Sequence, residues 1–128
     1  MTISFAVLGR PAPQGSKTIM RGRLVESSKY LPAWRKVIAE AAAEAQAKTE
    51  WFSENPLQME VTFIIEKPKS VKRKYPTVPP DLDKLARSVG DSCTGILYND
   101  DAQIVKLILV KEYGTEPGAV ITISEYND

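Results

Sequence analysis

The chain has 128 residues, of which 43% are hydrophobic and 26% charged, and its formal net charge is +1. This length supports one compact core and not two, so a single domain over residues 1–128 is expected, and the near-zero charge leaves any nucleic-acid argument to how the charges are distributed. Histidine is absent, which excludes Ser-His-Asp and Cys-His nucleophile systems and histidine-ligated metals, leaving carboxylate chemistry as the main candidate.

Thr2 to Leu8 alternates and is rich in Ile, Phe and Val, with Gly9, Pro11 and Pro13 behind it, and reads as the first strand. Pro11 to Ser28 has no helical period. Within it, Lys17-Thr-Ile-Met and Arg23-Leu-Val-Glu flank Arg21-Gly22, the pattern of a small hairpin arm carrying Lys17, Arg21 and Arg23. Such an arm either reaches a phosphate backbone or is a solvated ribbon whose charges keep an exposed edge from pairing. From Ser28 to Lys48 strong helix formers predominate, with Leu31, Trp34, Val37, Ile38, Ala41, Ala42 and Ala45 at helical spacing. Trp34 shares that stripe and is read as core. Asn55-Pro56 breaks the pattern, so Trp51 and Phe52 fall in a connector covering the core edge.

Leu57 to Glu66 alternates again and reads as the second strand. The next segment holds Lys67, Lys69, Lys72, Arg73 and Lys74 among four prolines and is expected to be a mobile loop. A charge run is usually a solvated face, but this one leads directly into Asp81. A phosphate chain attracted to it would be delivered there, through contacts that are electrostatic and independent of base sequence.

Between Pro80 and Val105 lie Asp81, Asp83, Asp91, Asp100 and Asp101. A helix begun near Leu82 puts Leu82, Leu85, Ala86, Val89 and Cys93 on one face and Asp83, Arg87 and Asp91 on another. Cys93, the single cysteine, therefore reads as a small core residue that has no intrachain disulfide partner. Gly95 fits a helix end. A strand over Ala102–Lys111 could return Asp101 to the side of Asp83, and Ala119–Glu125 follows a Gly114–Gly118 turn as the last strand, with a frayed tail at Tyr126–Asp128. The order is β-α-β-α-β-β, an α/β (α+β) fold with a single layer of two helices on a mixed four-stranded sheet. Singly, each aspartate has an ordinary explanation: Asp81 as an N-cap, Asp83 at the positive end of a helix dipole, Asp100 in a turn. Converging carboxylates, by contrast, repel unless a cation joins them, and a hard cation such as Mg²⁺ or Mn²⁺ suits oxygen ligands and phosphodiester chemistry.

The pattern Asp81-x-Asp83, a basic residue, Asp91, then Leu97-Tyr98-Asn99-Asp100-Asp101-Ala102-Gln103 resembles the RusA family of Holliday junction resolvases, found in phages and prophages. The resemblance implies a magnesium-dependent, homodimeric endodeoxyribonuclease that cuts four-way DNA junctions symmetrically. By it, Asp81, Asp83 and Asp101 match the essential carboxylates and expected metal ligands, Asp91 and Asp100 match further acidic positions, and Arg87 stands where the family usually has lysine. Lys84 replaces a common asparagine. Arg87 can neutralise charge but cannot act as a base, and Lys84 would share that task. A homodimer would present one site twice, giving two cuts in a branched substrate. The alternative is a non-catalytic branched-DNA-binding protein of the same fold. No segment has the length of a membrane span or the pattern of a signal peptide, so a cytoplasmic setting is expected, with neither membrane nor small-molecule cofactor.

Overall fold

The computed structural model describes residues 1–15, 17–26 and 28–127, and for residues 17–20 and 23–26 the backbone alone. The elements run β1 (Thr2–Leu8), β2 (Lys17–Met20), β3 (Arg23–Glu26), α1 (Leu31–Thr49), β4 (Leu57–Glu66), α2 (Leu82–Cys93), a 3₁₀ turn (Asp101–Gln103), β5 (Ile104–Gly114) and β6 (Gly118–Glu125). Four strands form a mixed sheet in the order β1-β6-β4-β5, in which β4 and β5 are parallel and the other neighbours antiparallel. The expected two helices and mixed four-stranded sheet are present.

Period-two alternation decides which face of the sheet is covered. Leu57, Met59, Val61 and Phe63 of β4 are buried together with Ile3 and Val7 of β1 and Ala119, Ile121 and Ile123 of β6. On the helical side Leu31, Trp34, Ile38 and Ala42 of α1 meet this face, as do Leu85, Val89 and Cys93 of α2. Burial of each larger apolar side chain contributes about 1.5–3 kcal/mol, so this shared core is what holds the two helices in place. Trp34 also donates from Nε1 to Ser88 Oγ at 3.0 Å, joining the helices by a buried hydrogen bond. Burial pushes the Cys93 thiol up to about 12, as expected of a core cysteine and not of a nucleophile.

The structure adjusts several expected boundaries. Helix α1 begins at Leu31 and not at Ser28, because Pro32 occupies its first turn, where a missing N–H costs nothing. Strand β5 begins at Ile104, since residues 101–103 are wound into a 3₁₀ turn. Helix α2 ends at Cys93, ahead of Gly95, whose φ of +83° belongs to the following turn. Trp51 is buried as expected, whereas Phe52 is exposed. The arm forms a two-residue hairpin with positive φ at both Arg21 (52°) and Gly22 (76°), a geometry matched to the twist of paired strands. Tyr126 donates its N–H to Pro56 at 2.8 Å and so is tied down, while Asp128 lies outside the described residues. Among the described residues no helix is long and apolar enough to cross a membrane.

Candidate active site

Helix α2 and the turn before β5 bring the acidic residues together from opposite sides. Leu85, Val89 and Cys93 bury one face of α2, which turns Asp83, Arg87 and Asp91 outward. Arg87 Nη2 stands 3.9 Å from Asp83 Oδ2, one helical turn away. A cleft of about 340 Å³ between α2 and β5 is lined by Asp83, Arg87, Gly90 and Asp101. Gly90 is what lets Asp101 approach: a Cβ there would lie 3.3 Å from Asp101 Oδ2.

The Asp101 carboxyl is held above its ordinary range by partial burial first, then by hydrogen-bonding contact with Asp100 and by the Asp91 charge. Asp91 and Asp100 therefore both neighbour Asp101, and Asp83 and Asp101 share the cleft. Asp81 is placed differently, exposed at the N-cap of α2, where its side chain makes no cap hydrogen bond. Asp81 thus holds the expected N-cap position without capping the helix through its side chain, whereas Asp100, expected in a turn, caps the 3₁₀ turn: it accepts from Ala102 N at 2.9 Å in a capping box with Gln103. Among the described residues no three acidic side chains stand in the arrangement of a formed metal centre. The donors are all hard oxygens, and the crowded carboxyl of Asp101 is relieved either by a proton or by a cation, so the set suits a hard divalent ion.

Four residues to which the sequence reading gave no role hold these groups. Gln103 Oε1 accepts from Asn99 N (2.9 Å) and Asp100 N (3.0 Å), and its Nε2 donates to Ser53 O and Asn55 O, both at 3.0 Å. Gln14 Nε2 donates to Asp91 Oδ2, and Gln14 N to Lys84 O at 3.0 Å. The contribution of Lys84 that the fold uses is thus its carbonyl. Gly15 lies so close to Arg87 that a Cβ would collide with the guanidinium, and its φ of +97° also favours glycine. Lys111 Nζ donates to Val78 O (2.7 Å) and Pro80 O (2.9 Å), fixing the chain just ahead of Asp81. Only Lys111 left a trace in the sequence, as a charge in phase with the apolar residues Leu107 and Leu109 of β5.

The basic loop is not a free tether. Pro76 is buried, and Arg73 Nε donates to Tyr113 Oη at 2.9 Å. Lys67 Nζ lies 5.6 Å from the same ring. Lys67, Lys69, Lys72, Arg73 and Lys74 are nonetheless exposed, as is Arg21 at the hairpin tip. The side chains of Lys17 and Arg23 fall outside the described residues.

The chain is similar to the "Uncharacterized protein YqaN" of Bacillus subtilis (strain 168), with 30% identity and 96% of each sequence covered. The family described as "Endodeoxyribonuclease RusA" matches residues 9–124, from the end of β1 to the end of β6, and so takes in every acidic residue of the cleft. The chain therefore belongs to the RusA endodeoxyribonuclease family.

Proposed function

We propose that the protein is a Mg²⁺-dependent, structure-specific endodeoxyribonuclease that resolves four-way DNA junctions by paired symmetric nicks, acting as a homodimer in DNA recombination and repair. The observation that carries this reading is the crowding of Asp101 against Asp91 and Asp100 in the cleft that Asp83 and Arg87 also line. Asp81, Asp83 and Asp101 would hold the ion, with Asp91 and Asp100 completing or orienting its surroundings; Mn²⁺ is a possible substitute. When bound, such an ion polarises a phosphate oxygen and lowers the pKa of an attacking water.

The protein's own groups supply the rest. Arg87 and Lys84 neutralise charge that develops on the phosphate. The exposed cations of the 67–74 loop, with those of the hairpin, guide the backbone into the cleft and carry no base code. Two copies related by a two-fold axis would present two such clefts to a branched substrate, so that branch preference follows from shape.

The test is a gel assay on a synthetic four-way junction and a matched linear duplex, in Mg²⁺, in Ca²⁺ and in chelator. Paired nicks in the junction with Mg²⁺ alone are expected. Asp83→Asn, which keeps the volume and removes a ligand charge, should lower cleavage by at least about a hundredfold while junction binding persists or tightens. Cleavage by that variant at the parent rate would sink the role given to Asp83. Binding without cleavage under every metal would favour the non-catalytic branched-DNA binder, to which Asp100's use as a cap lends some support.

A further inference from the structure

We propose that the cavity between the Arg10–Pro13 segment and the Lys67–Pro80 loop is a pocket for one unstacked nucleobase of the DNA next to the cleavage point. The proposal rests on the nuclease reading of the neighbouring acidic site. The cavity has a volume of about 700 Å³, within the range of small-ligand sites, and Pro79 and Pro80 form part of its wall. The next residue in the chain is Asp81. The wall residue Pro80 is thus the chain neighbour of a candidate metal ligand, and Lys111 fixes that stretch through the carbonyls of Val78 and Pro80.

The lining suits a flat, partly polar ligand. Tyr30 is 38% exposed, and the Arg10 guanidinium carbon lies 3.7 Å from the centre of its ring. Both are planar groups on which bases stack. Tyr30 also occupies the N-cap position of α1 without a side-chain cap hydrogen bond, so helix capping does not account for it. Proline faces make up much of the remaining wall. Arg10, Lys67 and Lys69 against Glu66 give the lining an excess of positive charge, which suits the phosphate attached to the base. A paired, stacked base cannot enter a concave site, so the ligand is a base freed from its stack, and a branch point or nick provides one at lowest cost.

The experiment is a titration of the ¹⁵N-labelled chain with each deoxynucleoside monophosphate and, separately, with inorganic phosphate, followed by amide shifts. Nucleotides should produce saturable shifts at Arg10, Ala12 and Tyr30 that inorganic phosphate does not reproduce. Tyr30→Leu should weaken nucleotide affinity about fivefold or more, whereas Tyr30→Phe, which keeps the ring, should retain it. The same spectra report whether each variant is folded. Identical shift maps for nucleotide and phosphate would mean a phosphate site only and would overturn the proposal, as would unchanged affinity in Tyr30→Leu. Junction cleavage by a chain whose pocket takes no nucleotide sinks the pocket and leaves the nuclease reading. Nucleotide capture by a chain that cuts no DNA supports the pocket and sinks the nuclease reading.

Discussion

Asp101 bears the electrostatic cost of the site. Its folded pKa lies above the usual 3.8, chiefly through partial burial and then through Asp100 and Asp91. Between the unfolded and folded values the native state binds more protons than the unfolded chain, so this group's contribution to stability falls as pH rises through that window, and the penalty is fully present above it. In chelator, Asp101→Asn should therefore raise Tm at about pH 7 and lose that advantage below about pH 4. Thermal melts of the two proteins across pH check this, and equal Tm values at neutral pH would contradict it. Mg²⁺ should raise the Tm of the parent protein more than that of the variant, because only the parent has the full charge to be relieved. Gly90→Ala separates geometry from stability at the same place. Alanine is favoured over glycine inside a helix by about 1 kcal/mol, so Tm should hold or rise, yet the new Cβ displaces the Asp101 carboxylate by a few tenths of an ångström. Cleavage should fall about tenfold, read as initial rate beside the melt.

At the scale of elements, the turn between α2 and β5 is held by one side chain. Gln103 satisfies two backbone donors and two backbone acceptors, which binds the Asn99–Gln103 turn to the Ser53–Asn55 connector. Tyr98 anchors the other end by donating from Oη to Gly90 O at 2.7 Å, and burial raises its pKa well above the ordinary value. Gln103→Ala leaves these backbone groups to water or unpaired, at a cost of about 1–3 kcal/mol. The expected result is a lower Tm together with loss of cleavage larger than the melt explains, because Asp100 and Asp101 lose their registration; a variant with parent activity would refute that role. The connector is further tied to Glu125 by Asn55 Nδ2 and by Ser53 Oγ, the latter at 2.9 Å, and these donors, Asn55 foremost, hold the Glu125 carboxyl below its ordinary range.

At the scale of the molecule, β5 is the free edge of the sheet on the side of the acidic cleft. It leaves Val105 60% and Leu107 47% exposed, apolar side chains that a lone domain usually turns inward. The proposed dimer gives that edge a partner. Leu107→Lys should shift the protein from twice the chain mass to the single-chain mass in light scattering, and should convert paired junction cuts to single nicks. A parent protein that is monomeric at working concentration would remove the dimer from the reading.

The local pattern sufficed for the strands and helices, for the single acidic face of α2 and for the hairpin at Arg21-Gly22, because side-chain period and turn chemistry are set by neighbours in the chain. The run of aspartates, the basic loop before it and the absence of histidine likewise pointed to carboxylate-based phosphodiester chemistry before any fold was known. Strand order was not legible, since β1 and β6 have similar alternation and nothing local says that β6 lies between β1 and β4. Gly118 allows that placement, as a Cβ there would strike the backbone of Val7. Nor was the support of the site legible: Gln14 meets Asp91 from 77 positions away, and Gln103 meets Ser53 from 50. Such contacts are created when two remote segments dock on one core, and polar side chains that pair across that distance leave no periodic trace in the sequence.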